Sequence, residues 1–229
     1  MTGVIYLKLR DLGRVLKLNK LINTIIGSTY YEEKFGNKML DNINNGDVVW
    51  DVGANVGFYT EKFLSKVSKS GVVVAFEPSP GSIDKLKDVF ENNNNVHIKP
   101  IALGECDGEI DMIFEDEPTS VTNRVASIGE EKDTQKVQIR SGDSFVTDNN
   151  ELLPNVIKID VEGHELSVIK GMRKILLSKN LRCIAIEIHF EILKNRGEGS
   201  APREIVEILK ENGYGISWTD PSHVVAIKK

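Results

Sequence analysis

Three short stretches of this 229-residue chain carry residue types that can do chemistry. The first is Asp51-Val52-Gly53-Ala54-Asn55-Val56-Gly57, set between an apolar run and a helical pattern. Glycines at such a turn let the backbone bend tightly and approach a ligand. Twenty residues after Gly57 comes Glu77, followed by Pro78, at the end of a second apolar run. A carboxylate at that place can accept hydrogen bonds from both hydroxyls of a ribose. Loop and acid together point to a nucleoside ligand. Asp51 opens the loop, and a carboxylate there repels a pyrophosphate but attracts an ammonium or a sulfonium. The glycines are spaced Gly53-x-x-x-Gly57, a departure from G-x-G-x-x-G. Charge and spacing therefore favour S-adenosylmethionine over NAD.

The second stretch is Ile157-Lys158-Ile159-Asp160-Val161-Glu162-Gly163-His164-Glu165, and the third is Ala185-Ile186-Glu187-Ile188-His189. Both end apolar runs that read as strands, and ligands of parallel sheets bind outside the carboxyl ends of the strands. Strand alternation puts Lys158 and Asp160 on one side, and Glu187 and His189 on one side. If those two strands are neighbours, Asp160, Glu162, Glu187 and His189 meet at one rim. Histidine titrates near neutrality and is the natural general base there. Lys158 suits either an ion pair or a catalytic role. Glu165 reads as a first-turn helix acid favoured by the helix dipole. The oxygens and nitrogens of the rim also suit Mg²⁺ or Mn²⁺, although no metal ligand is assigned.

The elements that must position these residues alternate. Val48–Asp51, Val72–Phe76, His97–Leu103, Val156–Val161 and Cys183–Ile188 read as strands. Phe58–Val67 and the segment opened by Ser79-Pro80 read as helices. So do the stripe Val168, Ile169, Met172, Ile175, Leu176 and the segment from Ala201 to Gly213. Glu109–Phe114 and Lys136–Arg140 alternate like exposed antiparallel strands, with a polar, acidic loop over 115–135 between them. The chain ends in two strands, Tyr214–Trp218 and His223–Ile227. No helix fits between those two, so the last must run antiparallel. The fold class is α/β: a mostly parallel sheet with helices on both faces and one antiparallel strand near the C-terminus.

Composition narrows the function. Lys plus Arg is 29 against 34 for Asp plus Glu, a net charge of −5. An acidic chain is a poor partner for nucleic acid phosphates. No apolar run approaches the roughly 18 residues needed for a membrane span, and no signal peptide is evident. Cys106 and Cys183 form no metal-ligand pair, so a reduced, cytoplasmic protein is expected. Residues 1–45 read as an N-terminal helical extension or lid, with a stripe through Ile5, Leu9, Leu12 and Leu16. Five basic residues and one acidic residue within 1–26 make this segment locally positive. It would pack on the domain or touch a membrane surface. Residues 46–229 form the main domain.

Taken together, Asp51-Val-Gly-Ala-Asn-Val-Gly-Phe-Tyr-Thr, Phe76-Glu-Pro, Lys158-Ile-Asp-Val-Glu-Gly-His-Glu and Ile169-Lys-Gly-Met resemble the FkbM family of methyltransferases over roughly residues 46–190. Asp-Val-Glu-Gly is the most specific string. The resemblance implies a seven-stranded, Rossmann-like class I methyltransferase fold. It also implies methyl transfer from S-adenosylmethionine to a hydroxyl of a small molecule or sugar, with S-adenosylhomocysteine as product. By position, Asp51, Gly53, Ala54, Asn55 and Gly57 match the cofactor loop, and Glu77 with Pro78 the ribose acceptor. Asp160 matches the rim of the fourth strand, shared between cofactor and catalysis. His189, Asp160, Glu162 and Glu187 are the candidate catalytic residues, with His189 or Asp160 as the base for an in-line displacement. The family often carries Thr-Leu-Asp before the fourth strand, where this chain has Ser141-Gly142-Asp143. Thr119, Ser120, Thr122 and Asn123 offer polar groups to a polyhydroxylated acceptor. Two alternatives stay open: an NAD-dependent oxidoreductase and a non-catalytic S-adenosylmethionine-binding protein. The oligomeric state is not specified by any residue pattern.

Overall fold

A computed structural model describes residues 33–114, 124–126, 134–149 and 152–229. The stripe expected over residues 1–26 lies outside them, as do Thr119, Ser120, Thr122 and Asn123. In chain order the described strands are β1 (Val48–Val52), β2 (Val72–Phe76), β3 (Val96–Lys99), β4 (Ala102–Leu103), β5 (Gly108–Ile113), β6 (Arg124–Val125), β7 (Gln135–Arg140), β8 (Val156–Ile159), β9 (Cys183–Glu187), β10 (Tyr214–Trp218) and β11 (His223–Lys228). Seven of them form the main sheet, in the order β10-β11-β9-β8-β1-β2-β3.

β1, β2, β8 and β9 are mostly apolar and buried on both faces, as a helix-covered parallel sheet demands, with Asp51, Lys158 and Glu187 as their charged residues. β1 pairs in parallel with β2 on one side and with β8 on the other. β9 extends the sheet in parallel from β8. The chain thus winds outward through β2 and β3 and then returns to the opposite side of β1. That reversal opens a crevice at the carboxyl ends of β1 and β8, where ligands of such sheets bind. β11 runs antiparallel to both of its neighbours, β9 and β10.

Helices cover both faces. On one, Phe63 and Val67 of the helix Phe58–Val67 join Val49 and Val73 of the sheet. Residues 33–40 are helical and add Phe35 and Met39 to that cluster. This part of the segment read as an extension or lid is therefore packed into the domain core. On the other face Trp50 is wholly buried, edge-on to Phe76 and Phe145 at 5.0 and 5.5 Å. Its Nε1–H donates to the Leu152 carbonyl at 2.8 Å, which satisfies the polar atom that so large a side chain brings into the core.

The structure departs from the sequence expectations in three places. The run His97–Leu103 is two strands in two sheets: β3 ends at Lys99, and after Pro100 the chain turns so that β4 pairs with β7. Proline has no N–H to give a ladder, so a continuous strand fails there. The small sheet β4-β7-β5-β6 contains the antiparallel β5–β7 pair expected from alternation. Second, the stripe from Val168 to Leu176 is carried by two short helices, Glu165–Lys170 and Arg173–Leu177, with Gly171 at the break. Third, Ser79 stands at the N-cap with Pro80 behind it but makes no side-chain cap bond; its backbone N–H donates to Glu77 instead.

Gly171 is where the helical layer touches the loop after β4. A Cβ there would sit 1.9 Å from the Gly104 carbonyl oxygen. Backbone on both sides cannot yield cheaply, so Gly171→Ala is expected to lose about 1–3 kcal/mol in urea denaturation. Gly199→Ala is the control, because nothing lies within 4 Å of a Cβ at that position. Equal stability of the two variants would show that this contact is slack.

Candidate functional site

The glycine loop leaves β1 at Val52. Gly53 takes φ 77°, and a Cβ on it would lie 1.8 Å from the Asp160 carbonyl oxygen, so no other residue fits. Backbone N–H groups of Gly53 and Ala54 donate to the Phe76 carbonyl at 3.0 and 3.1 Å, tying the loop to the end of β2. Glu77 stands at the same end. Its Oε2 accepts the Asn55 N–H and its Oε1 the Ser79 N–H, both at 2.8 Å. Burial pushes the Glu77 pKa up, while the two backbone donors favour its charge. Each of its oxygens keeps a lone pair beyond these bonds.

Beneath the loop lies a buried ion triad. Lys158, 4% exposed, donates from Nζ to the Gly53 carbonyl at 3.0 Å. The same nitrogen is 3.4 Å from Asp51 and 3.3 Å from Asp160. Asp51 is wholly buried and also accepts the Thr60 hydroxyl at 2.7 Å. Burial works against the Lys158 charge, but the two carboxylates outweigh it and hold the ammonium above its ordinary pKa.

A second cluster stands where β8 and β9 end. His189, at the N-cap of the helix Phe190–Asn195, meets a carboxylate at each ring nitrogen. Nδ1 is 2.7 Å from Glu165 Oε1, and Nε2 is 3.2 Å from Glu162 Oε2. Asp160 and Glu187 follow at 3.8 and 4.0 Å from Nε2. Burial disfavours the imidazolium, but the bonds to Glu162 and Glu165 prevail and raise its pKa to about 11. His189 is therefore a cation at neutral pH in this arrangement, and its proton must leave before it can serve as a base. Glu165 is no ordinary first-turn acid: it is wholly buried, and the oxygen that meets His189 also accepts the Gly163 N–H at 2.8 Å.

Between the two clusters opens a cavity of about 730 Å³, counting its mouth. Of the expected cofactor residues, Gly53, Asn55, Glu77, Pro78 and Asp160 line it, while Asp51, Ala54 and Gly57 shape the loop from behind. Glu162 lines it too, and His189 and Glu187 stand just beyond. The carboxylate that opens the loop, Asp51, faces Lys158 and Thr60. Among the described residues, Glu77, Asp160 and Glu162 are the acids that face the cavity, and no Lys or Arg lines it. The rest is apolar, with Val52, Phe76, Ile101, Leu103, Met112 and Val125. Such a lining suits a flat apolar ring joined to a cationic group. His164 also lines it; burial, with Arg196 nearby, brings its pKa down to about 4, so it is neutral.

A model of the FkbM methyltransferase domain matches residues 51–216, which span both clusters and the sheet between them. The chain belongs to the FkbM methyltransferase family. Among its relatives is the hexuronic acid methyltransferase AglP of Haloferax volcanii, 33% identical over 175 residues, which are 76% of this chain and 65% of that protein. Methyltransferase 1 of Beauveria bassiana is 26% identical over 142 residues, 53% of this chain and 57% of its own length. The chain thus spans less than two thirds of either relative. The crystal structure of an FkbM methyltransferase from Methylobacillus flagellatus KT shares the fold, with a TM-score of 0.54 at 19% identity over 81% of this chain and 44% of that one. S-adenosylmethionine is the cofactor that goes with an FkbM domain, and the residues fit it: an acid-lined cavity in which the Glu77 oxygens keep lone pairs for hydroxyl donors.

Asp160, Glu162 and His189 also offer three ligand atoms within 4.8 Å of one another. A divalent cation there would have to displace the Nε2 proton of His189, so its binding would weaken as pH falls. Among the described residues no helix is long and apolar enough to cross a membrane. Sequence reasoning passed over Asp220, His223 and Arg196. Arg196 donates to the carbonyls of Gly163 and Val125, which ties the small sheet to the rim.

The raised pKa of His189 makes a stability prediction. Its folded value of about 11 exceeds the ordinary 6.5. The stabilisation is full below pH 6.5 and drains as pH rises toward 11. His223, raised to about 9, acts with the same sign. In urea denaturation from pH 6.5 to 10, His189→Gln is expected to lose stability less steeply than the native chain. Identical slopes would mean that the folded protein already holds His189 neutral.

Proposed function

We propose that this protein transfers the methyl group of S-adenosylmethionine to a hydroxyl of a sugar, with a hexuronic acid as the first acceptor class. One observation carries the reading: a cavity faced, among the described residues, by three carboxylates and no lysine or arginine runs from the glycine loop to the His189 rim. A pyrophosphate is repelled by that lining, which disfavours the dinucleotide alternative. The sugar assignment draws on the name of the Haloferax volcanii relative.

S-adenosylmethionine, when bound, supplies a methyl group already activated by its sulfonium leaving group. Asn55, Gly53 and Pro78 shape the floor, and Glu77 accepts from the ribose hydroxyls with its remaining lone pairs. Asp160 and Glu162 present negative charge to the cationic end. Deprotonation of the acceptor hydroxyl falls to Asp160, which faces the cavity and has one oxygen, Oδ1, turned toward the rim. His189 keeps its protons, held by Glu162 and Glu165, and acts as a fixed positive charge that steadies the oxygen as it gives up its proton.

Calorimetric titration with S-adenosylhomocysteine, S-adenosylmethionine and NAD tests the cavity, and labelled-methyl transfer to D-glucuronic and D-galacturonic acids tests the reaction. Micromolar binding of the adenosyl ligands is expected, weakened at least about tenfold in Glu77→Ala, the cost of losing hydrogen bonds to a charged acceptor. Binding of NAD alone would move the protein to the oxidoreductases. Binding without transfer to any hydroxyl compound would favour a non-catalytic role.

The pH dependence of kcat separates the two candidate bases. A kcat that stays level between pH 7 and 9 would remove His189 as the base. With His189 as base it would climb across that whole range, because only a vanishing neutral fraction exists at pH 7 when the pKa is about 11.

A further inference from the structure

The C-terminal hairpin brings a second imidazole to the rim. His223 is the cross-strand partner of Glu187 in the β9–β11 ladder. Side chains of such partners stand on one face of the sheet, and His223 Nε2 lies 3.3 Å from Glu187 Oε2. The ring is held from behind by Asp220, whose Oδ1 lies 2.8 Å from Nδ1 and also accepts the N–H groups of Ser222 and His223. The Ser222 hydroxyl approaches the same ring nitrogen at 3.1 Å. Phe35 closes one side of the imidazole at 4.4 Å between ring centroids.

These contacts leave His223 one thing to do with Nε2, which is to donate to Glu187. The other Glu187 oxygen, Oε1, faces His189 Nε2 at 4.0 Å. Glu187 is not among the cavity-lining residues, yet its side chain is 34% exposed. It stands at the end of β9, two strands from β1 and its glycine loop, so that an acceptor reaching the rim from that side would meet it. A carboxylate on a free side chain rotates among several rotamers and orders only when a ligand binds. One oxygen pinned by an imidazole leaves the other in a set direction, with lone pairs for hydroxyl donors.

We propose that His223, fixed by Asp220, is a positioning residue of the same site: it orients Glu187 to accept hydrogen bonds from hydroxyls of the sugar acceptor. The proposal rests on the sugar-methyltransferase reading for its ligand, but the contact between His223 and Glu187 stands by itself.

The test uses the full chain and two readouts. In steady-state kinetics with D-glucuronic acid, His223→Ala is expected to raise KM about tenfold, with kcat and S-adenosylhomocysteine affinity within about twofold of native. His223→Gln, whose amide nitrogen can stand where Nε2 stood, should recover KM to within about threefold. A merely structural role would instead lower kcat, cofactor affinity and Tm together, without recovery by Gln, and would overturn the proposal. An unchanged KM in His223→Ala would overturn it as well. In parallel, ¹⁵N NMR of the imidazoles at pH 7 compares the native chain with Glu187→Gln. The His223 Nε2 resonance is expected to move, and an unmoved resonance overturns the positioning role whichever acceptor is used. A native enzyme inert toward D-glucuronic and D-galacturonic acids, with that resonance still responding, would strike the sugar reading and leave the contact in place.

Discussion

The Lys158 ammonium holds the site together. It donates to the Gly53 carbonyl of the glycine loop and is ion-paired with Asp51 at the end of β1 and with Asp160 at the end of β8. Those are the two strands and the loop that border the crevice where the sheet reverses direction. A buried ion pair is seldom more stabilising than well-packed apolar residues of the same volume, because desolvation offsets the attraction. Its worth here is positional. Asp51 is committed to Lys158 and Thr60, so it can hold the base of the loop without occupying the cavity. Asp160 has one oxygen committed to the same ammonium and the other free to face the rim. Take the cation away and two carboxylates are left close together, one of them in a dry interior.

The second constraint is repulsion. Glu162, Glu165, Glu187, Asp160 and Asp220 would not share so small a volume as bare anions. Cations placed between them make the arrangement tolerable: Lys158 separates Asp51 from Asp160, His189 separates Glu165 from Glu162, and His223 separates Asp220 from Glu187. His189 and His223 are both held charged by the carboxylates that bond their ring nitrogens. An alternating chain of this kind has little freedom to rearrange, which is what a site must have if it is to meet a substrate already oriented.

Much of this was legible in the sequence, for identifiable reasons. Apolar runs of four or five residues separated by helical stripes specify a parallel sheet, and the glycine loop with Glu77 twenty residues on specifies a nucleoside crevice. Alternation along β8 and β9 placed Lys158 with Asp160 and brought Glu187 toward His189. The reading of His97–Leu103 as one strand misses the break at Pro100, although a proline inside an apolar run argues against a continuous strand. Other features depend on register or on protonation, which no spacing encodes. That Asp51 faces Lys158 and Thr60 and not the cavity, that His189 is held at both nitrogens and that Glu165 is a buried partner all follow from packing in three dimensions.

His223 shows where the boundary between legible and illegible runs. Only four residues separate Trp218 from His223, too few for the crossover that a parallel strand needs. The return must therefore be antiparallel, and the sequence shows that much. It does not show that β11 slides between β10 and β9 and takes Glu187 as the partner of its first residue. A shift of one residue along that ladder would turn His223 to the opposite face and place Val224 beside Glu187. The runs Val224–Ala226 and Ile184–Ile186 are apolar on both faces and do not distinguish the registers. The turn capped by Asp220, and the bond from the Ile188 N–H to the Ser222 carbonyl at 2.9 Å, fix where β11 begins and deliver the imidazole. The one antiparallel strand of the sheet puts a residue from the chain's last seven next to a carboxylate at the rim, although it contributes nothing to the crevice between β1 and β8.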